Sequence, residues 1–219
     1  IMTFLSKIEN AKKLIKEYLD KYQDKAIAGI SFGKDSMVLF HLIDSVKKNV
    51  QCFSIMTPFK PKETLAYKEE MMKKYEMKIN TWCKGERADK PEWWKTDPDA
   101  CCDYYKVEPT KEALGEYNVW FAGLRRDEGR TRTNYDYVEE KDGLIKVNPI
   151  LDFTEKDIWK YMAIHGIPAN PLYKEGYRSL GCAPCTHKEQ DENETERAGR
   201  WLGTSKCGGE CGIHSKSLR

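Results

Sequence analysis

Five cysteines are spaced in a way that suggests chemistry. Cys101 and Cys102 are adjacent, Cys182 and Cys185 form a Cys-Ala-Pro-Cys pair far downstream, and Cys211 stands alone in Glu-Cys-Gly-Ile-His near the end. Two pairs separated by a domain's length of chain suit a four-thiolate metal or iron–sulfur site. A single cysteine beyond them suits a nucleophile, because the thiolate is the reactive form. Structural zinc sites use spaced cysteines at both ends, whereas neighbouring side chains diverge and reach one tetrahedral ion only with strain. A cubane is larger, and two vicinal thiolates can reach separate irons. The pattern therefore favours a 4Fe-4S cluster over zinc, and zinc over four free thiols. His187, just after the second pair, is not counted among the ligands. Cys52 reads as a small core hydrophobe and Cys83 has no assigned role. Cys207 is either a resolving partner for Cys211 or a spare tail thiol.

Anion-binding features accompany the cysteines. Ser31-Phe-Gly-Lys-Asp-Ser36 lies between an apolar strand pattern and an apolar helix pattern. Gly33 permits a tight turn, the helix N-terminus offers backbone amides, and Ser31, Lys34 and Ser36 add donors. The spacing is too short for a Walker loop, and an ordinary serine-capped turn is the plain alternative. Arg125, Arg126, Arg130 and Arg132 crowd a second loop. Such guanidiniums repel one another unless an anion gathers them; pairing with Asp127 and Glu128 is the alternative for any one of them.

These residues must be positioned by a core. The chain has 219 residues, 40% of them hydrophobic, enough for one sizeable α/β core or two small ones. A formal net charge of only +2 argues against general nucleic-acid binding. No apolar run is long enough to span a bilayer, and lysines interrupt the N-terminal segment where a signal peptide would be apolar. A cytoplasmic location is expected, where thiols stay reduced. The periodicity predicts helices over 4–22, 37–46, 62–75, 101–115 and 158–165, and strands over 26–30, 50–56, 77–82, 119–123 and 145–147. Thr154-Glu-Lys-Asp157 resembles a capping box. The alternation predicts an α/β fold with a doubly wound, mostly parallel sheet. From Glu189 onward the polar, glycine-rich chain is expected to be a mobile tail.

The 31–36 loop resembles the PP-loop of the adenine-nucleotide alpha-hydrolase-like superfamily, with Phe32 in place of a glycine. Cys101-Cys-Asp-Tyr-Tyr-Lys-Val-Glu-Pro109, Gly123-Leu-Arg-Arg-Asp127, Asn148-Pro149, Asn170 to Thr186, Arg197-Ala-Gly-Arg-Trp201 and Glu210-Cys-Gly-Ile-His214 then occur in order. Together they resemble the assimilatory phosphoadenylyl-sulfate and adenylyl-sulfate (PAPS and APS) reductases, over nearly the whole chain from Ala26. The resemblance implies a reductase body over 1–195 and a catalytic tail over 196–219. It implies a 4Fe-4S cluster on Cys101, Cys102, Cys182 and Cys185, serving as a structural and electrostatic element, with Lys106 beside it. Cys211 would be the nucleophile and thioredoxin or a similar dithiol protein the reductant. Arg125, Arg126, Arg178, Arg197 and Arg200 would face the substrate's sulfate and phosphate. Relatives commonly associate, so a homo-oligomer is implied; no nucleic acid or membrane partner is. His214 either lowers the pKa of Cys211 or has no such role.

Two departures bear on the substrate. Ser31-Phe32-Gly33 looks more like the loop of members that take PAPS, and the usual Asp-Thr-Gly after the second strand is replaced by Thr57-Pro-Phe-Lys-Pro-Lys62. Lys60 and Lys62 could serve a 3′-phosphate, so PAPS is favoured over APS; a solvated lysine loop is the alternative. Lys34-Asp35 follows the superfamily's ATP-using branch, which leaves an ATP pyrophosphatase or sulfur-transfer enzyme as the second reading. A non-enzymatic metal-binding adaptor is the third.

Overall fold

The computed structural model describes residues 2–188, 194–206 and 209–219. Cys207 therefore lies outside the described residues. The elements in chain order are α1 (Phe4–Tyr22), β1 (Ala26–Gly29), α2 (Lys34–Val46), β2 (Cys52–Met56), α3 (Lys62–Lys74), β3 (Ile79–Cys83), α4 (Trp93–Thr96), α5 (Pro98–Cys102), α6 (Glu108–Leu114), β4 (Val119–Phe121), β5 (Val138–Lys141), β6 (Leu144–Val147) and α7 (Glu155–His165). A single π turn, Asp103–Val107, joins α5 to α6. Among the described residues no helix is long and apolar enough to cross a membrane.

The six strands form one sheet in the order β3-β2-β1-β4-β6-β5, parallel except for the antiparallel β5–β6 hairpin. Side-chain alternation divides the core between the two faces. Ala26, Ala28, Cys52, Val119 and Phe121 join one apolar cluster with α1, α2 and α7. Ile27, Phe53 and Trp120 join the other, with Val107, Ala113 and Leu114. Burial on both faces is what a parallel sheet requires. The capping box is present: Asp157 N donates to Thr154 Oγ1 at 3.1 Å and Thr154 N to Asp157 Oδ2 at 2.9 Å.

The order places β1 between β2 and β4, so the chain reverses its direction of winding across the β1–β4 pair. Ligand crevices open at such switch points, at the carboxyl ends of the strands. The 31–36 loop leaves β1 there and the arginine loop leaves β4 there. Phe32 holds the first loop in place. Its φ of 62° is left-handed and its ring is fully buried in the α1–α2–α7 core. The buried ring offsets the local backbone strain, so Phe32 anchors the loop and is not a ligand contact. Phe32→Ala is expected to cost about 3–5 kcal/mol of stability in chemical denaturation; a loss under about 1 kcal/mol would contradict the anchoring role.

The described tail residues pack against the body, where a mobile segment was expected. Trp201 and Leu218 are buried, and Glu196, Arg197 and Arg200 are buried with them. Glu196 pairs with Lys34 and Arg125 of the body, and Glu210 with Arg132.

Candidate active site

A cleft of about 1110 Å³, its open mouth included, lies at the 31–36 loop. One wall is the 31–36 loop. Ser36 Oγ accepts from Ser31 N at 3.2 Å and donates to the Gly33 carbonyl at 3.0 Å, closing the turn at the start of α2. Another wall carries Phe53, Ile55, Trp120, Ala122 and Leu124, an apolar surface suited to a flat ring. The cleft is also lined by Lys60, Lys106, Arg132, Arg197, Arg200, Glu210, Cys211 and His214. The tail cysteine thus shares the cleft with the loop.

The cations in and around the cleft fall into two sets. Lys34 is buried, with Nζ 2.7 Å from Glu196 and donating to the Arg178 carbonyl at 2.6 Å. Arg125 is fully buried beneath the cleft and donates to Asp35 at 2.6 Å and to Glu196 at 2.7 Å. Arg132 bonds Glu128 and Glu210, and Arg197 reaches Glu210 at 3.3 Å. Lys60, Lys106 and Arg200 form the second set: among the described residues no carboxylate pairs with them. Among the described residues Arg200 donates to the Leu180 and Cys185 carbonyls and Ser179 Oγ, at 3.3–3.4 Å. It lies so close to Gly181 that a Cβ there would sit 2.2 Å from its Nη2, so a side chain at 181 would displace the guanidinium. Trp201 packs under both Arg200 and Lys106, 4.4 Å and 5.7 Å from its ring centroid.

Several expected substrate contacts are therefore corrected. Arg125 is neutralised by Asp35 and Glu196. Arg126 lies outside the cleft, held by Asp152 and the Tyr135 carbonyl. Arg178 is not in the cleft lining and bonds Glu155 and the Glu194 carbonyl. Lys62 starts α3 away from the cleft. Lys60 is in the cleft, but at its cysteine end, facing Cys182, Lys106, Arg200 and Cys211. Burial there pushes its ammonium down to about 8.

A second, smaller pocket adjoins the cleft. Cys101, Cys102, Cys182 and Cys185 line it, with Phe59, Trp94, Tyr105, Lys106 and Trp201. All four thiols are buried and free. Burial first, then the neighbouring thiols, push Cys101 up to about 12 and Cys185 to about 11. At Cys182 burial acts upward too, but Lys106, Lys60 and a 3.1 Å contact with Thr57 Oγ1 outweigh it and lower the value. Among the described residues no three or more metal-ligating side chains converge closely enough for a single ion. The four thiols line one gap next to buried Lys106, a donor set that could hold a metal group. Lys106 and Trp201 line both cavities.

Cys211 packs against the cluster formed by Cys102, Cys182, Cys185 and Trp201. Gly212, with φ of 92°, makes the turn that follows, accepting from Ser215 and Lys216. His214 is stacked on Trp120, with centroids 5.2 Å apart and an interplanar angle of 9°. Burial, followed by Arg132, Lys146 and Arg197, pushes its imidazole well below the ordinary value, against the opposing pull of Glu210. It is therefore neutral and supplies no charge to Cys211. A ring buried neutral contributes stability that is intact above its ordinary pKa of about 6.5 and lost as pH falls from there towards the depressed value. Limited proteolysis should find the tail protected at about pH 7.5 and cut at about pH 5.5, with His214→Phe staying protected at both; equal cutting of the two proteins at the lower pH would contradict this.

The model of the phosphoadenosine phosphosulfate reductase domain matches residues 25–188, which span both the loop and the four paired cysteines. The chain belongs to the phosphoadenosine phosphosulfate reductase family. Adenosine 5′-phosphosulfate reductase 2 of Bacillus subtilis (strain 168) is 36% identical over 205 residues, covering 89% of this chain and 85% of that one. Among solved structures, the phosphate complex of phosphoadenylyl-sulfate reductase from Candida auris has a TM-score of 0.71 at 20% identity, covering 81% of this chain and 90% of that one. FMN adenylyltransferase of Candida glabrata, in complex with FAD and pyrophosphate, has a TM-score of 0.65 at 17% identity over 88% of this chain and 71% of that one. The fold is thus shared by a reductase and an adenylyl transferase, and membership of the family rests on the sequence match. Glu196, Glu210, Trp120, Tyr173 and Trp201 were not singled out from the sequence as site residues, yet all but Glu196 line the cleft and Glu196 locks its floor. Glu210 precedes Cys211 directly, the one signal that could have found it.

Proposed function

We propose that this chain reduces adenylyl sulfate to sulfite and AMP, with Cys211 as nucleophile and thioredoxin or a similar dithiol protein as reductant. The observation that carries the reading is the cleft itself, which gathers the 31–36 loop, an apolar wall, three carboxylate-free cations and Cys211. The APS form is preferred over PAPS, reversing the sequence expectation. Of the two lysines expected at a 3′-phosphate, Lys62 lies outside the cleft and Lys60 faces the cysteines. The Bacillus subtilis relative also carries the APS name.

The nucleotide lies with its base on the apolar wall, and its phosphate meets the amides at the start of α2. The Cys211 thiolate attacks the sulfuryl sulfur; an S–S bond forms, the S–O bond to phosphate breaks, and that electron pair leaves on AMP. Two anions must meet in this step, and Lys106 and Arg200 offset their repulsion. A thiolate of the partner then attacks Cys211 Sγ and releases sulfite. Its second thiol attacks the mixed disulfide, leaving the partner oxidised and Cys211 as thiolate. Cys101, Cys102, Cys182 and Cys185 would hold a 4Fe-4S cluster, which would supply fixed charge at the closed end of the cleft.

Sulfite release is the test, measured anaerobically with reduced thioredoxin and APS, PAPS or ATP in turn. The reading requires sulfite from APS at a higher kcat/KM than from PAPS. Pyrophosphate release from ATP without sulfite from either would overturn it in favour of ATP chemistry.

A further inference from the structure

The loop between β2 and α3 carries a cation that the reaction above does not use. It is fixed from several sides: Lys60 N donates to the Thr57 carbonyl at 3.2 Å, and Ala183 N to the Phe59 carbonyl at 2.8 Å. Thr57 Oγ1 contacts Cys182 Sγ, while the Phe59 ring packs on Trp94 and Tyr105 at 5.0 and 5.2 Å. The loop is thereby held against the Cys182–Cys185 turn, and Lys60 lines the cleft that Cys211 also lines. Its electrostatic neighbours are Cys182, Lys106, Arg200 and Cys211. Lys34, Arg125, Arg132 and Arg197 each pair with a carboxylate, whereas among the described residues none pairs with Lys60, Lys106 or Arg200. Three neighbouring cations without carboxylate partners repel one another unless anions sit among them; the Cys182 thiolate serves on one side, and the open cleft leaves room for a second anion on the other.

The geometry points to Lys60 as a catalytic residue that donates to an oxygen of the transferred sulfuryl group. The assignment rests on Cys211 attacking an adenylylated sulfate. The ammonium gives up no proton in the step. It offsets the negative charge of the sulfuryl oxygens as the Cys211 S–S bond forms and the phosphate S–O bond breaks. Once AMP has gone, it holds the S-sulfonate on Cys211 until a dithiol removes it. Lys60 is thus tied to the sulfuryl group and not to the nucleotide phosphate.

The variants Lys60→Met and Lys60→Arg separate these roles. With APS and no reductant, Lys60→Met should form S-sulfonate on Cys211 about 10²–10³ times more slowly, the scale of losing one preorganised donor to a developing anion. Lys60→Arg should recover much of the rate. AMP lacks the sulfuryl group, so its affinity should stay within about twofold in both variants, and iron per chain should be unchanged. A wild-type rate in Lys60→Met overturns the assignment. So does an equal loss of AMP affinity, which would place Lys60 on the nucleotide phosphate, or a loss of iron, which would make it a support of the cysteine pocket. Failure of the unmodified protein to form any S-sulfonate would instead sink the reductase reading on which the assignment depends.

Discussion

Cys211→Ser should abolish sulfite release, by at least about 10⁴-fold, the scale on which loss of a nucleophile is felt. The hydroxyl is neutral at working pH and a poor nucleophile towards an anionic ester. If it did attack, it would form a sulfate ester with no sulfur for the dithiol to exchange, so turnover would stop at either step. Cys211 is only half-buried and serine is nearly isosteric, so the fold should stand. Glu210 keeps its bonds to Arg132 and Arg197 and continues to hold the tail. Nucleotide affinity and iron content should therefore match the unmodified protein. Normal turnover by the serine variant would remove Cys211 from the reaction altogether.

Arg125→Met should reduce stability by about 3–5 kcal/mol, a large share of the roughly 5–15 kcal/mol that holds a domain together. Arg125 was expected at the substrate, but it is fully buried and its guanidinium ties Asp35 at the start of α2 to Glu196 in the tail. Removing it leaves two carboxylates facing each other across a dry interface, with Lys34 alone to offset them. Chemical denaturation measures the loss, and Arg125→Met with Glu196→Gln should recover part of it because one stranded charge is removed with its partner. A fully stable Arg125→Met protein with a raised KM would return Arg125 to the substrate. Arg126, a third exposed on the opposite side of the loop, should tolerate the same change with little effect.

The contrast between these arginines shows what the sequence could and could not disclose. Helical periodicity located α1, α2, α3 and α7 within a few residues, because each has one buried stripe. The expected 101–115 helix is continuous in path, but its middle opens into a π turn that periodicity does not register. β5 was missed because Val138-Glu-Glu-Lys141 is a charged edge strand; the signal was Asp142-Gly143, whose φ values of 52° and 77° make the tight hairpin to β6. The two cysteine pairs stood out in the sequence by their spacing, and the structure brings them around one gap with Cys211 packed nearby. Which arginine meets the ligand was not legible. That depends on whether a carboxylate distant in sequence arrives first, as Glu196 does at Arg125 and Glu210 does at Arg132 and Arg197. The packing of the described tail residues was not legible for the same reason, since Glu196 and Glu210 find their partners only in three dimensions.

The most direct measurement of the central claim is the mass of the protein after mixing with APS in the absence of any dithiol. The account predicts a gain of one sulfonate group, carried by the peptide containing Cys211 and released as sulfite when reduced thioredoxin is added. No gain, or a group carried on Cys101, Cys102, Cys182 or Cys185, would contradict it.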